Sequence, residues 1–304
     1  MLVGVVDAER RVLHRSQELS IGRSAGEVLD TLEAELREGL EARPGVRAIG
    51  LGIPCTMDRE RGVAISAVNL PLVDVPIRDL MADRLGLPVF VDNDANVAAL
   101  AEHRFGAARG ARNAVMLTVG TGIGGGLVLD EQIYRGSTGA GAELGHIVVD
   151  ADGPPCQGNC PNHGCVEAVA SGTALAREGR AAAEANPDSA LGRVLASGAD
   201  VDGRAVTEAA LAGDAQAREV VAIVGRRLGV ALSSIANVFE PDVIVIGGGV
   251  MAAGELLLGP ARAELRARAL PPMNATEVVA AELGPEAGMI GAATMALEEL
   301  ESRA

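Results

Sequence analysis

The sequence predicts an α/β protein, because short apolar segments alternate with longer amphipathic ones along its 304 residues. The short segments are rich in Val, Ile and Leu and end in Gly, Pro or polar residues, which is typical of strands. The longer segments repeat their apolar residues every three or four positions, as a helix with one buried face does. We therefore expect mostly parallel or mixed sheets.

The predicted elements follow one another without a low-complexity linker. The segment at 25–40 shows the helical spacing clearly, with Val28, Leu32 and Leu36 on one face among Glu and Arg residues. The predicted strands are 2–6, 12–13, 46–53, 89–91, 114–119, 127–129 and 243–246. The predicted helices are 25–40, 77–85, 96–104, 172–185, 214–240, 255–269 and 288–301.

Composition excludes several classes of function. Apolar residues make up 48% of the chain, so it can bury a large core, although it has only three Phe and one Tyr. All 26 basic residues are Arg, which rules out a catalytic lysine. The net charge of −15 argues against non-specific nucleic-acid binding. Its apolar runs are short, and no charged-then-apolar leader is evident, so we expect a cytoplasmic protein that does not contact a membrane.

The segment 143–167 concentrates residues that bind metals. Cys156, Cys160 and Cys165 lie within ten residues, and His146 precedes the first by ten. Three thiolates and one imidazole are the donors of a tetrahedral structural zinc site. A disulfide or unrelated buried thiols are the alternatives, and the odd number of clustered cysteines argues against a disulfide framework. We expect zinc, with a glutamate on either side of it.

A run of polar residues follows the predicted strand at 89–91. Asp92, Asn93, Asp94 and Asn96 lie where a strand ends and a helix begins, the place at which α/β sheets bind ligands. Helix capping by Asn93 or Asp94 is the alternative. One cap needs one such residue and not four, so the pattern favours a functional carboxylate. Such a carboxylate could accept a proton from a substrate hydroxyl as a general base.

Two glycine-rich segments also follow predicted strands. Residues 118–126 read TVGTGIGGG, and residues 243–249 read VIVIGGG. Glycine allows tight turns whose N–H groups can cradle phosphate oxygens, and the helix start after the second segment can face an anion. A glycine-rich hairpin turn is the alternative for the first segment. It is no Walker A loop, because Gly-Lys-Ser/Thr is missing, and no dinucleotide fingerprint, because a strand follows it.

Together these motifs resemble the ROK family (repressors, open reading frames and sugar kinases). DNDAN, TVGTGIGGG, ELGH with the cysteine cluster and GCVE, and VIVIGGG occur in the family's order and span nearly the whole chain. The resemblance implies the two-domain actin-like ATPase and sugar kinase (ribonuclease H-like) fold, with the active site in the interdomain cleft. It places a small domain at 1–112, completed by a C-terminal helix at 286–304. The large domain is expected at 113–285, with a zinc-binding loop at 146–165.

The resemblance also implies an activity and a role for single residues. The activity is ATP-dependent phosphorylation of a hexose, most simply glucose, with Mg²⁺ and structural Zn²⁺, in a homodimer or homotetramer. Asp94 is similar to the family's catalytic base. The implied sugar contacts are Asn69, Asn93, Glu143, His146 and Glu167. The implied nucleotide contacts are Gly120, Thr121, Gly122, Gly124, Gly247, Gly248 and Gly249. The implied zinc ligands are His146, Cys156, Cys160 and Cys165.

Three departures from the family pattern affect these expectations. Three residues separate Cys156 from Cys160 where the family has one, which leaves His163 as a competing ligand. Cys55 follows proline on the expected sugar side, where the family commonly has glycine. Family members open with a strand and an Asp-x-Gly-Gly-Thr-Lys turn, whereas residues 1–7 resemble the strand after it. We expect neighbouring strands to lose ladder partners, and the natural protein to be longer.

Alternative functions follow from the same resemblance. N-acetylmannosamine, N-acetylglucosamine, fructose and allose are alternative sugars, and polyphosphate is an alternative donor. A sugar-responsive transcription regulator would need a helix-turn-helix region, and the acidic charge disfavours it. A non-catalytic sugar-binding protein differs from a kinase by releasing no ADP when sugar is added.

Overall fold

The computed structural model describes residues 1–9, 11–19, 22–67 and 70–303, and it is a mixed α/β structure as expected. The strands are β1 (Leu2–Val6), β2 (Val12–Gln17), β3 (Ile49–Ile53), β4 (Thr56–Asp58), β5 (Val63–Ser66), β6 (Val73–Val75), β7 (Val89–Asn93), β8 (Ala114–Val119), β9 (Ile123–Leu129), β10 (Gln132–Tyr134), β11 (Val243–Gly247) and β12 (Glu277–Ala280). The helices are α1 (Ala25–Ala42), α2 (Ile77–Leu85), α3 (Asp94–Phe105), α4 (Val166–Ala170), α5 (Gly172–Ala185), α6 (Ala190–Ala196), α7 (Gly203–Leu211), α8 (Ala215–Phe239), α9 (Glu255–Arg268) and α10 (Ala287–Ser302).

A five-stranded sheet lies at the centre of the larger core. Its strand order is β10-β9-β8-β11-β12, with β8, β11 and β12 parallel and the other two antiparallel. Because β8 and β11 are parallel neighbours, with Thr118 opposite Gly247, they end at the same edge of the sheet. The two glycine-rich segments therefore lie side by side, at the carboxyl ends of strands where ligands bind in such sheets.

The long helix α8 anchors the core that covers this sheet. Its N-terminus is capped by Asp214, whose carboxylate accepts from the N–H of Ala217 at 2.8 Å. Leu228, Leu232 and Ile235 of α8 are fully buried against the sheet and its neighbours. The described helices include none long and apolar enough to cross a bilayer.

The amino-terminal part of the chain has three smaller sheets, which are β1-β2, β3-β7 and β4-β5-β6. Helix α10 packs against β3, β7 and α3, where Phe90, Val97 and Met295 form a buried cluster. A Cβ at Gly50 would collide with the carbonyl oxygen of Ala292, so this close approach of α10 requires glycine. Within the described residues β1 pairs only with β2 and β3 only with β7, so each has one open edge. The proposed boundary at residue 112 stays a prediction.

Several elements differ from those predicted. Strand β9 begins at Ile123 and not at 127, because its glycines pair with β8 instead of forming a long loop. Strand β3 begins at Ile49 rather than 46. Strands β4, β5, β6, β10 and β12 and helices α4, α6 and α7 were not predicted. The five strands are three or four residues long and the three helices have nine residues or fewer, so their periodicity is too short to identify them.

Candidate active site

Asp94 is the first residue of α3, directly after β7. Asn93 caps the helix, since its side-chain oxygen accepts from the N–H groups of Ala95 at 2.8 Å and Asn96 at 3.4 Å. The Asn93 amide also donates to the carbonyl oxygen of Cys55 at 3.2 Å. The capping interpretation is thus right for Asn93, while the Asp94 carboxylate also accepts from the Ala95 N–H, at 3.0 Å.

Burial and neighbouring groups shift the pKa of two carboxylates at this site, Asp94 and Glu143. Burial raises the pKa of Asp94, against a smaller lowering by the backbone N–H of Ala95. Burial is also the main cause that raises the pKa of Glu143, and the negative charges of Asp94 and Glu167 add to it, while His146 opposes it. Asp94 and Glu167 therefore both disfavour a negative charge on Glu143. Like-charge repulsion of this kind makes the surroundings of Glu143 better suited to a neutral polar ligand than to an anion.

The turn at 120–122 is a tight hairpin between β8 and β9, with the Gly120 N–H donating to the carbonyl oxygen of Gly122 at 2.9 Å. The first glycine-rich segment is therefore a hairpin turn, as the alternative interpretation expected. Its backbone is fixed from outside, because Gly172 donates its N–H to the Gly120 carbonyl at 2.7 Å and the Thr173 hydroxyl donates to the Thr121 carbonyl at 2.8 Å. The start of α5 thus holds the turn in place.

The other glycines predicted to contact the nucleotide lie in different elements and have different neighbours. Gly124 lies within β9, not in the turn, and a Cβ there would meet the Thr118 hydroxyl oxygen at 2.6 Å. Gly248 has a φ of +91° and lies against the carbonyl of Val119, so it requires glycine for both reasons. Gly247 ends β11, and Gly249 opens the short 3₁₀ turn Gly249–Ala253. Gly247–Gly249 and the hairpin turn therefore form one glycine-lined edge.

The four predicted zinc ligands come together. The ligand atoms of His146, Cys156, Cys160 and Cys165 all lie within 4.8 Å of one another, and all four cysteines of the chain are free. Cys156 Sγ is 3.5 Å from His146 Nδ1, and Cys160 Sγ is 3.9 Å from Cys165 Sγ. A tetrahedral zinc ion with Zn–S and Zn–N bonds of normal length separates its ligand atoms by roughly 3.5–3.8 Å. The donor set and its spacing therefore fit Zn²⁺.

The wider spacing between Cys156 and Cys160 does not disrupt the cluster. His163 is exposed and lies outside the group of ligand atoms, in a part of the loop where it pairs with Pro155. Burial, followed by the neighbouring thiols, raises the pKa of Cys156, so a bound cation is what would keep these sulfurs ionised. With Nδ1 facing the thiols, His146 directs Nε2 toward Glu143 at 4.0 Å. One imidazole can thus serve both of its predicted roles.

Glu167 connects the zinc cluster to the glycine turn. It lies in the first turn of α4, two residues after Cys165. One carboxylate oxygen accepts from the Ile123 N–H at 2.7 Å, and the other lies 3.8 Å from Cys156 Sγ. A Cβ at Gly122 would collide with this carboxylate, so the turn packs directly on it. The cysteine loop therefore positions the hairpin turn between β8 and β9.

Sequence reasoning missed a buried ion-pair network beneath the site. Asp92 is 1% exposed and accepts from Arg135 Nε at 2.6 Å and from the Asn96 amide at 2.9 Å. Arg59 Nε lies 3.6 Å from the same carboxylate and also pairs with Glu299 of α10. The network joins the end of β10 to the turn that carries Asp94. Arg135 stands 43 residues from its partner, so no local pattern indicates the contact.

We expect Arg135→Met to lower the free energy of unfolding by about 3 kcal/mol, because it leaves the buried Asp92 with a weaker partner. Urea denaturation measures the change. Arg112→Met is the matched control, since Arg112 makes an ion pair of similar length, 2.8 Å, with Asp130, but both side chains are more than 70% exposed. That variant should lose less than about 1 kcal/mol. Equal losses in the two variants would contradict the interpretation.

The chain matches one protein family over almost its whole length. Residues 1–299 match the ROK family. The chain belongs to the ROK family. It is similar to the glucokinase of Thermotoga maritima, with 37% identity over 302 residues that cover 98% of this chain and 94% of that one. It also resembles a ROK family glucokinase from Streptomyces griseus, solved in complex with glucose and AMPPNP, with 36% identity, a TM-score of 0.87 and coverage of 97% and 95%.

Regulators in the ROK family are similar too. A putative xylose repressor from Caldicellulosiruptor is 30% identical, and the match covers 95% of this chain but 73% of the repressor. The family match and the similarity to the solved Streptomyces griseus glucokinase show that this chain has the actin-like ATPase and sugar kinase fold. Of the predicted site residues, Asn69 lies outside the described residues, so its role stays a prediction. The others are placed as described above.

Proposed function

We propose that this protein is an ATP-dependent hexose kinase that converts glucose to glucose 6-phosphate. The observation that carries the proposal is the position of Asp94 where β7 ends and α3 begins, on a chain 36% identical to a glucokinase solved with glucose and AMPPNP. The similarity to the Thermotoga maritima enzyme, at near-complete coverage of both chains, supports the same activity. Repressors match at lower identity and over less of their length.

In this proposal Asp94 accepts the proton of the sugar's primary hydroxyl. The oxygen then attacks the γ-phosphorus of ATP, and ADP leaves. Asp94 suits the role because burial raises its pKa, which makes its carboxylate a stronger base. Asn93, Glu143, Glu167 and the Nε2 atom of His146 would hold the other hydroxyls, and positioning of this kind supplies much of the rate in phosphoryl transfer.

The nucleotide side of the proposal rests on the two glycine turns at the shared edge of β8 and β11. Backbone N–H groups at Thr121, Gly122 and Gly247–Gly249 would face the phosphates of ATP. Mg²⁺ bound with ATP would neutralise the charge on the phosphate oxygens. The turn at 120–122 would keep its shape during the reaction, because α5 and Glu167 fix it from behind. We also propose that the enzyme is cytoplasmic and assembles as a homodimer or homotetramer.

The proposal predicts substrate and donor preferences. With ATP and Mg²⁺, we expect kcat/KM for glucose to exceed that for N-acetylmannosamine, N-acetylglucosamine, fructose and allose by about tenfold or more, a factor equal to about 1.4 kcal/mol of transition-state binding. Coupled detection of ADP measures each rate. Polyphosphate in place of ATP should give little glucose 6-phosphate. Sugar binding without ADP release would favour the non-catalytic alternative, and a preference for another sugar would contradict the choice of glucose.

A further inference from the structure

The side-chain amide of Gln157 joins the cysteine loop to the hairpin turn between β8 and β9. Gln157 lies in the three-residue segment that separates Cys156 from Cys160. Its Nε2 atom donates to the Thr121 carbonyl oxygen at 3.3 Å and to the Ser171 hydroxyl oxygen at 3.1 Å. An amide nitrogen carries two hydrogens, so one side chain can make both bonds.

Gln157 is held at its backbone as well as at its amide. Its carbonyl oxygen accepts from the Cys160 N–H at 3.4 Å, which closes a turn of the loop. Its partner Ser171 is fully buried and caps α5, with the hydroxyl oxygen also accepting from the Ala174 N–H at 3.2 Å. Ordering a long side chain costs rotamer entropy, and two hydrogen bonds to fixed partners offset that cost.

The carbonyl groups of the hairpin turn are held from one side. The Gly172 N–H donates to the Gly120 carbonyl at 2.7 Å, and the Thr173 hydroxyl donates to the Thr121 carbonyl at 2.8 Å. Gly172 and Thr173 are the first residues of α5, and the Gln157 amide is bonded to the cap of the same helix. The Thr121 carbonyl therefore receives one bond from α5 and one from the cysteine loop.

The direction of these carbonyls sets the direction of two N–H groups. In a planar trans peptide the C=O and the following N–H point in opposite directions. The N–H groups of Thr121 and Gly122 therefore point away from α5 and the cysteine loop, and neither has a hydrogen-bond partner within the described residues. A Cβ at Gly120 would meet nothing within 4 Å, so the turn has open space beside it.

We propose that Gln157 is a positioning residue for the nucleotide, because its hold on the Thr121 carbonyl aims the Gly122 N–H at a phosphate oxygen of ATP. This inference rests on the proposed kinase function. Peptide units in a glycine-rich turn rotate easily, and a rotated peptide would present its carbonyl oxygen to the phosphate instead of its N–H. A donor whose direction is fixed in advance stabilises the phosphate charge without reorganisation.

Gln157→Met and Gln157→Glu test the proposal, since both keep the length of the side chain and lose the amide donors. We expect each to raise the KM for ATP, and the Kd for AMPPNP with Mg²⁺ measured by isothermal titration calorimetry, by about fivefold or more, the loss typical of one hydrogen bond. The KM for glucose should change by less than about twofold, and the zinc content should be unchanged. Thr173→Val removes the other side-chain donor to the same carbonyl and should give the same pattern.

Asn159→Ala is the matched control. Asn159 lies in the same segment of the loop with its side chain exposed, so this variant should keep both KM values and the Kd for AMPPNP. Unaltered AMPPNP affinity in the two Gln157 variants would overturn the proposal. An equal rise in the KM for glucose, or a loss of zinc, would overturn it too, because Gln157 would then support the loop as a whole. Failure of the unmodified protein to bind AMPPNP would instead refute the proposed kinase, and this role with it.

Discussion

Asp94→Asn is expected to lower kcat by about a thousandfold, because a positioned general base typically contributes 10²–10⁴ to the rate. The substituted amide keeps the size of the side chain and can still accept from the Ala95 N–H, so helix α3 should remain intact. Zinc content and the circular dichroism spectrum should not change. Asp83→Asn is the control, since Asp83 is an exposed aspartate on helix α2, and it should retain full activity. Near-normal turnover in Asp94→Asn would refute the assigned role.

The raised pKa of Asp94 adds two further expectations to this experiment. Asp94 must be ionised to accept a proton, so kcat/KM should fall with decreasing pH through a pKa above the usual value of 3.8, and Asp94→Asn should lose this limb. The stability of the protein depends on pH in the opposite direction to kcat/KM. A carboxyl whose pKa is higher in the folded state loses stability as pH rises through its unfolded pKa toward its folded pKa. Asp94→Asn should therefore raise the Tm at pH 7, by about 2–4 °C per kcal/mol gained.

The assembly of one histidine and three cysteines into a cluster could be predicted because these four residues are local in the sequence. His146, Cys156, Cys160 and Cys165 lie within twenty residues, and soft donors at such spacing have few other uses. The glycine turns were located for a similar reason, since each directly follows an apolar strand. Their detailed roles differ from expectation at Gly124, which belongs to β9 and lies against Thr118. A glycine in a strand and a glycine in a turn look alike until the strand's partner is known.

Contacts between distant segments could not be predicted in the same way. Arg135 and Asp92 pair across 43 residues, and Glu102, fully buried in α3, accepts from the N–H groups of Glu282 and Leu283 about 180 residues away. The sequence around Asp92 and Glu102 contains no pattern that distinguishes these buried acidic residues from acidic residues exposed to solvent. Their partners are set by the packing of whole helices and sheets, which a single sequence does not display.

Removal of the zinc site is the second large effect that we expect. His146→Ala and Cys160→Ser should each reduce the zinc content from one ion per chain to near zero, because a tetrahedral site with three remaining ligands binds much more weakly. The Tm should fall by about 10 °C or more, since metal binding to the folded loop contributes directly to folding free energy. His163→Ala is the matched control. His163 lies in the same loop but outside the cluster, so that variant should keep its zinc and its Tm.

The two ligand variants should differ in their kinetics. Cys160→Ser removes a ligand without touching Glu143, so any loss of activity must pass through the loop. The loop ends at Glu167, whose carboxylate receives the Ile123 N–H at 2.7 Å and packs against Gly122, so the KM for ATP should rise along with the KM for glucose. His146→Ala additionally removes the Nε2 atom near Glu143 and should raise the KM for glucose further. A Cys160→Ser enzyme without zinc but with unchanged KM for both substrates would show that the metal supports only the stability of the loop.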